Sequence, residues 1–286
     1  MNVSVVGEGE LAEMLLGLVQ AAGNAASILP EEVEGVELVV RHSDLLLYAG
    51  APENLRAHLG RLRPGPANRL VLACRGLDPE TGKRLSEVVV SETACLRVGA
   101  LAGPLIPAEL RRGSPGAAVV ASPFREVGDA TVKALHSHAC RIYPSLDLAD
   151  VELAGALVEV LTTAIGVARG LGLGVGTGAM IVARGIAEGS RLARKTGGDP
   201  ATFSGLAGVG ELVACASLPD HPANVRGLAL ARGERDLRLA ALCESLLAIH
   251  PDLPITGGIR ALALGKVRAT DLLTGLMDRD VRAETT

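Results

Sequence analysis

The sequence predicts an α/β unit on a mostly parallel sheet, followed by an all-helical unit. Three observations carry that expectation. Short β-branched runs alternate with helical patterns through the first half, the apolar period turns helical from about Tyr143 onward, and a glycine-rich turn joins the first strand-like run to the first helical stretch. The boundary is expected near residue 145, giving units 1–145 and 146–286 of the 286-residue chain.

In chain order, SVVG (4–7) reads as a buried strand and ELAEMLLGLVQAAG (10–23) as a helix. DLLLYAG (44–50) is a second buried strand, followed by a helical stretch from Glu53. RLVLAC (69–74), CLRVGAL (95–101) and AAVVAS (117–122) repeat the strand signal at intervals that leave room for crossovers. Alternating strands and helices imply a parallel sheet covered on its faces.

Gly7, Gly9 and Ala12 form G-x-G-x-x-A between the first strand and the first helix. Such a turn suits a dinucleotide: the first glycine permits the bend, the second lets backbone approach a pyrophosphate, and the small third residue packs helix on sheet. Glu10 and Leu11 fall within the same turn, so the candidate cofactor residues here are Gly7, Gly9, Glu10, Leu11 and Ala12. Glu8, Glu10 and Glu13 suit the helix dipole but repel a phosphate, which also leaves a plain structural turn open. Glu31 or Glu32 would supply the acidic residue expected some twenty positions further on.

Composition narrows the partners. Aromatic residues make up 1% of the chain, with no Trp, leaving little for base stacking, and the net charge of −4 gives no field for polyanions or anionic membranes. The 14-residue uncharged run between Arg169 and Arg184 is too short and too glycine-rich to span a bilayer. The amino terminus has no basic segment ahead of an apolar one, which favours a cytoplasmic location. Five widely spaced cysteines argue against both a disulfide framework and a zinc cluster. His136, His138 and Cys140 are discounted as a metal site, so no metal is expected, and Arg111 and Arg112 are taken as a solvated helix end.

Longer segments carry a resemblance. GLDPETGKRLSEV (76–88), GPLIPAEL (103–110), LDLADVELAGAL (146–157), ARGIAEGSRLARKTGGDPATFSGLAGVGEL (183–212) and LPITGGIRALALGKVRATDLLTGLMDRDVRAE (253–284) resemble the NAD(P)-dependent glycerol-3-phosphate dehydrogenase family, in the family's order and almost end to end. The resemblance implies a Rossmann domain joined to a helical substrate domain. It also implies NAD or NADP as cofactor, and reversible reduction of dihydroxyacetone phosphate to glycerol 3-phosphate. The interval between the glycine turn and DLLLYAG is shorter than in the family. There the family carries its second strand, a helix and part of the adenosine pocket, so a truncated Rossmann unit is expected.

Departures cluster at the reaction site that the resemblance implies. The family's GALKNV reads GALVEV here, placing Val158 at the proton-donating lysine and Glu159 at the asparagine after it. Arg75 stands for the lysine of the family's KGL motif, as a cofactor and substrate contact, and Glu211 for the aspartate of GxGDL. Gly103 is a further substrate contact by the same resemblance. The phosphate-clamping serine, arginine and asparagine fall on His221, Pro222 and Ala223. A one-residue slip recovers Asn224, and the nearest arginine is Arg226.

Such a pocket is expected to bind a dianion poorly, because charge-assisted donors are missing and a carboxylate has been added. Glu159 and Glu211 remain as candidate catalytic carboxylates. Val151, Ala154, Val158, Leu161 and Ile165 make one apolar stripe that assigns Val158 to the core. Glu152, Glu159 and Thr163 share a neighbouring face expected to be wet. Three readings stay open: a dehydrogenase on a glycerol phosphate, a catalytically silent relative acting as sensor, scaffold or subunit, and an oxidoreductase for a less anionic substrate. The expected partner is a small molecule, and the Ala- and Gly-rich helices permit a homodimer without requiring one.

Overall fold

The computed structural model of the chain describes residues 1–29 and 35–272. Seven strands, β1 (Asn2–Val6), β2 (Ala25–Leu29), β3 (Leu45–Tyr48), β4 (Arg69–Leu72), β5 (Arg97–Ala102), β6 (Gly116–Ala121) and β7 (Cys140–Ser145), form one sheet in the order β2-β1-β3-β4-β5-β6-β7. Every neighbouring pair is parallel except β5 with β6. Helices α1 (Glu10–Ala21), α2 (Val36–His42), α3 (Leu55–Leu62), α4 (Leu85–Glu92), α5 (Pro107–Arg111) and α6 (Arg125–Leu135) connect them. All four residues of LLLY in β3 are buried, as a central strand covered on both faces requires. Two apolar clusters, one built on Val5, Leu15 and Leu47 and one on Leu46, Leu59 and Val89, sandwich the sheet.

Two strands were not expected. β2 pairs with β1 over five residues, Asn2↔Ala25 to Val6↔Leu29, so the shortened interval keeps its second strand and a helix, α2. The expected truncation is corrected to that extent. β7 forms the opposite edge, where Pro144, which has no N–H to donate, is tolerated.

The second half contains α7 (Leu148–Gly170), α8 (Val175–Thr196), α9 (Ala201–Ser204), α10 (Glu211–Ser217), α11 (Pro222–Ala231), α12 (Leu237–Ile249) and α13 (Pro254–Ala263). The axis of this half is α7. Asp147 caps it by accepting from Asp150 N, and every residue from Asp150 to Ala168 is buried except Glu159. One stripe of contacts was expected; the helix is instead enclosed on nearly all sides, with α8 and α11 among its neighbours. It is the one described helix long and apolar enough to cross a membrane, and 94% of its apolar window is buried inside the fold. Its apolarity serves the core.

Glycines set how closely α11 lies on α7. A Cβ on Gly166 would overlap Asn224 O, and one on Gly227 would overlap Thr163 O. The two backbones touch there, which carries Arg226, the residue before Gly227, up to the side of α7.

Candidate functional site

The carboxyl ends of β3 and β4 open into a cleft closed by α7 and α12. It encloses about 430 Å³, open to solvent, and Pro52, Arg75, Gly76, Glu159, Arg238 and Leu242 are among its walls. A smaller cavity behind Arg75 is lined by Cys74, Glu152 and Gly155. In an open parallel sheet, the strand ends are where ligands are held.

Glu159 is the partly exposed exception in the buried run of α7. Its Oε1 accepts from Arg226 Nη1 at 2.6 Å, and its Oε2 faces Gly76. Arg226 Nε lies 3.0 Å from Asp236 Oδ2, so one guanidinium is held between two carboxylates. Sequence reasoning placed Arg226 near the site but not on Glu159. The sequence carried no signal for the pairing, because it depends on the close approach of α11 to α7 at Gly227, beside Arg226.

Glu211 is fully buried. It pairs with Arg75, and its Oε2 accepts from Gly103 N at 2.9 Å. The structure therefore joins three predicted residues, Arg75, Gly103 and Glu211, in one network linking α10 to the loops after β4 and β5. Gly103 has φ 136°, and a Cβ there would lie 3.0 Å from Ala118 Cα, so the tight turn needs glycine. Asn224 stands apart: it is buried and its amide donates to Cys215 O at 2.9 Å and Leu218 O at 2.7 Å, serving backbone. His221 caps α11, its Nδ1 accepting from Ala223 N, and burial, with Arg75 and Arg226 nearby, lowers its pKa. Val158 is buried in the apolar core.

The expected wet face is corrected. Glu152 and Thr163 are buried, Glu152 against Ser86 of α4 and Thr163 against Gly227 of α11. Glu152 accepts from Ser86 N at 2.8 Å and Ser86 Oγ at 2.5 Å, and burial pushes its pKa up to about 7. A second bridge across the cleft is the bidentate pair of Arg238 with Glu53, 2.8 Å on each arm.

At the glycine turn, Gly7 has φ 125° and Gly9 φ 83°. A Cβ on Gly7 would come within 2.8 Å of Gly50 N, whereas one on Gly9 meets nothing within 4 Å. The first glycine is thus required by packing. The second leaves an open cradle that a Cβ would fill, which fits a pyrophosphate. Ala12 is fully buried under the sheet. Glu10 is drawn aside by Arg111 at 2.5 Å, which removes part of the repulsion expected from the acidic turn and shows Arg111 as a partner, not merely a solvated end. Leu11 packs against the sheet cluster. Glu31 and Glu32 lie outside the described residues.

Among the described residues no group of three His, Cys, Asp or Glu is placed to hold a metal, and His136 Nδ1 accepts from Ile142 N. All five cysteines are free, and burial pushes the Cys140 and Cys243 thiols up to about 11 and about 12.

Fold and cleft define the class of two-domain dehydrogenases with a Rossmann sheet and a helical second half. The model of the NAD-dependent glycerol-3-phosphate dehydrogenase N-terminus matches residues 28–127, and that of its C-terminus residues 147–244. A glycerol-3-phosphate dehydrogenase [NAD(P)+] of Sinorhizobium fredii is 34% identical over 256 residues, covering 85% of this chain and 77% of the relative. One of Delftia acidovorans is 33% identical over 298 residues, covering 96% and 87%. The crystal structure of glycerol-3-phosphate dehydrogenase from Coxiella burnetii superposes with a TM-score of 0.85 at 21% identity, covering 97% of this chain and 99% of that one. D-mandelate dehydrogenase with NADH shares the fold more distantly, at a TM-score of 0.59 and 10% identity over 93% and 98% of the chains. The chain belongs to the NAD-dependent glycerol-3-phosphate dehydrogenase family.

Proposed function

We propose that the protein binds NAD or NADP on its glycine turn and keeps the family's cleft for hydride transfer, but turns over dihydroxyacetone phosphate at least about a hundredfold more slowly than a normal enzyme. The nicotinamide would supply the hydride. The chain's own part is to cradle the pyrophosphate with the backbone at Gly7 and Gly9, and to hold the substrate between the loop after β4 and α7.

The observation that carries the reading is the state of the side chains around the cleft. The resemblance gives the proton-donating position to Val158, which lies in the core with a hydrocarbon side chain. Arg75, Arg226 and Arg238 each face a carboxylate: Glu211, Glu159 and Glu53. Carboxylates engaged by guanidinium groups accept hydrogen bonds and do not donate a proton, so Glu159 and Glu211 act as positioning groups in this reading. The same charge balance favours the second reading, an oxidoreductase for a substrate without a phosphate.

Two measurements test it. NADH or NADPH at millimolar concentration is expected to raise the melting temperature by a few degrees, roughly the effect of binding at a hundred times Kd. Dihydroxyacetone phosphate is then expected to give little nucleotide oxidation. Absence of any shift with either nucleotide, or turnover at a normal enzymatic rate, overturns the proposal.

A further inference from the structure

We infer that Glu159 sets the substrate charge: by cancelling Arg226 at the cleft wall, it excludes phosphate monoester dianions and leaves the cleft to uncharged carbonyl compounds and polyols. The inference rests on the cleft being the substrate site, as proposed above, and adds the residue that selects against phosphate.

Glu159 lines the cleft while Arg226 stands behind it, reached through Oε1. An anion entering past Gly76 meets a carboxylate before it meets the guanidinium. The side chains of Glu159, Arg226 and Asp236 are 21%, 23% and 25% exposed, so all three are largely withdrawn from water and their charges act on one another with little screening. With one cation and two carboxylates, the triad carries a formal charge of −1. The other cleft cations are also occupied, Arg75 by buried Glu211 and Arg238 by Glu53 in a bidentate pair.

The two carboxylates on Arg226 are not equivalent. Asp236 is the N-cap of α12, its Oδ1 accepting from Leu239 N at 2.9 Å, so a helix terminus already uses it. Glu159 does no such work. Its other oxygen faces Gly76 in the loop after β4. Glu159 is therefore the carboxylate whose charge can be removed without unmaking an element, and replacing it by the neutral amide brings the triad to zero while leaving an acceptor for Arg226.

The test is calorimetric titration of glycerol 3-phosphate and inorganic phosphate into the NADH-saturated wild-type protein, Glu159→Gln, and Glu159→Gln with Arg226→Ala. The wild type is expected to bind neither more tightly than about 1 mM. Glu159→Gln is expected to bind both at least about tenfold more tightly, and the added Arg226→Ala to abolish that gain. Micromolar binding by the wild type, no gain in the single variant, or a gain that survives in the double variant would each overturn the inference. The wild-type titration stands even if a variant fails to fold. Failure of nucleotide binding would instead be seen in the melting shift, before any phosphate is added.

Discussion

A buried carboxylic acid whose pKa is raised must leave a pH signature, and Glu152 supplies one. Its folded value of about 7 lies above the ordinary glutamate range, so between roughly pH 4.5 and 7 the native state holds a proton that the unfolded chain has released. Stability from this group is full at low pH and falls as the pH rises through that window, by about 3 kcal/mol. Glu152→Gln keeps an acceptor for Ser86 N and offers a donor to Ser86 Oγ. Urea unfolding of both proteins at pH 5 and pH 8 is therefore expected to show the wild type losing stability relative to the variant, and a constant difference would refute the assignment. None of this was legible in the sequence. Glu152 sits on a helix face that reads as polar, and its burial follows from a contact with Ser86, 66 residues away. Val158 was legible, because the three-and-four spacing of its aliphatic neighbours places it in the core whatever surrounds them.

At the level of elements, what could be read depended on how far a segment's own chemistry decided its state. β1, β3 and β4 are rich in buried Val and Leu, and they occupy interior positions of the sheet. β2 is AASIL, an edge strand with only Leu29 buried; its Ala and Ser have weak strand preference, and pairing with β1 holds it in place. The α7–α11 contact was hidden for a different reason. Gly166 and Gly227 read as ordinary helix weaknesses until the structure shows backbone against backbone. Gly227→Ala is accordingly expected to destabilise by about 3 kcal/mol, the upper range for overpacking, because backbone must yield instead of a flexible side chain. Gly257→Ala, where a Cβ meets nothing within 4 Å, is the matched control and is expected to be neutral or slightly stabilising. Equal melting temperatures for the two variants would refute the close-approach argument.

For the molecule as a whole, the cleft exists because sheet and helices are tied together by a few polar links at its edges. Glu211 on α10 holds Arg75 and Gly103 N, Glu152 on α7 holds Ser86, and Arg238 on α12 holds Glu53. These differ in exposure. The Arg238–Glu53 pair is about half exposed and contributes little. Glu211 is wholly buried, and its removal leaves a buried N–H and a guanidinium without their acceptor. The family resemblance implied a Rossmann domain joined to a helical substrate domain; it did not indicate which links join them, because each depends on side chains brought together from distant parts of the chain. If Glu211 couples the halves, Glu211→Ala is expected to lower stability by about 3 kcal/mol and to separate a single unfolding transition into two. Calorimetry reads both effects. A variant that unfolds in one transition at a lower temperature would mean that the apolar contacts of α7 with β5 and β6 suffice to keep the halves cooperative, and that Glu211 serves the cleft alone. Glu53→Gln is expected to leave the single transition intact, since it removes only a screened pair at the cleft mouth.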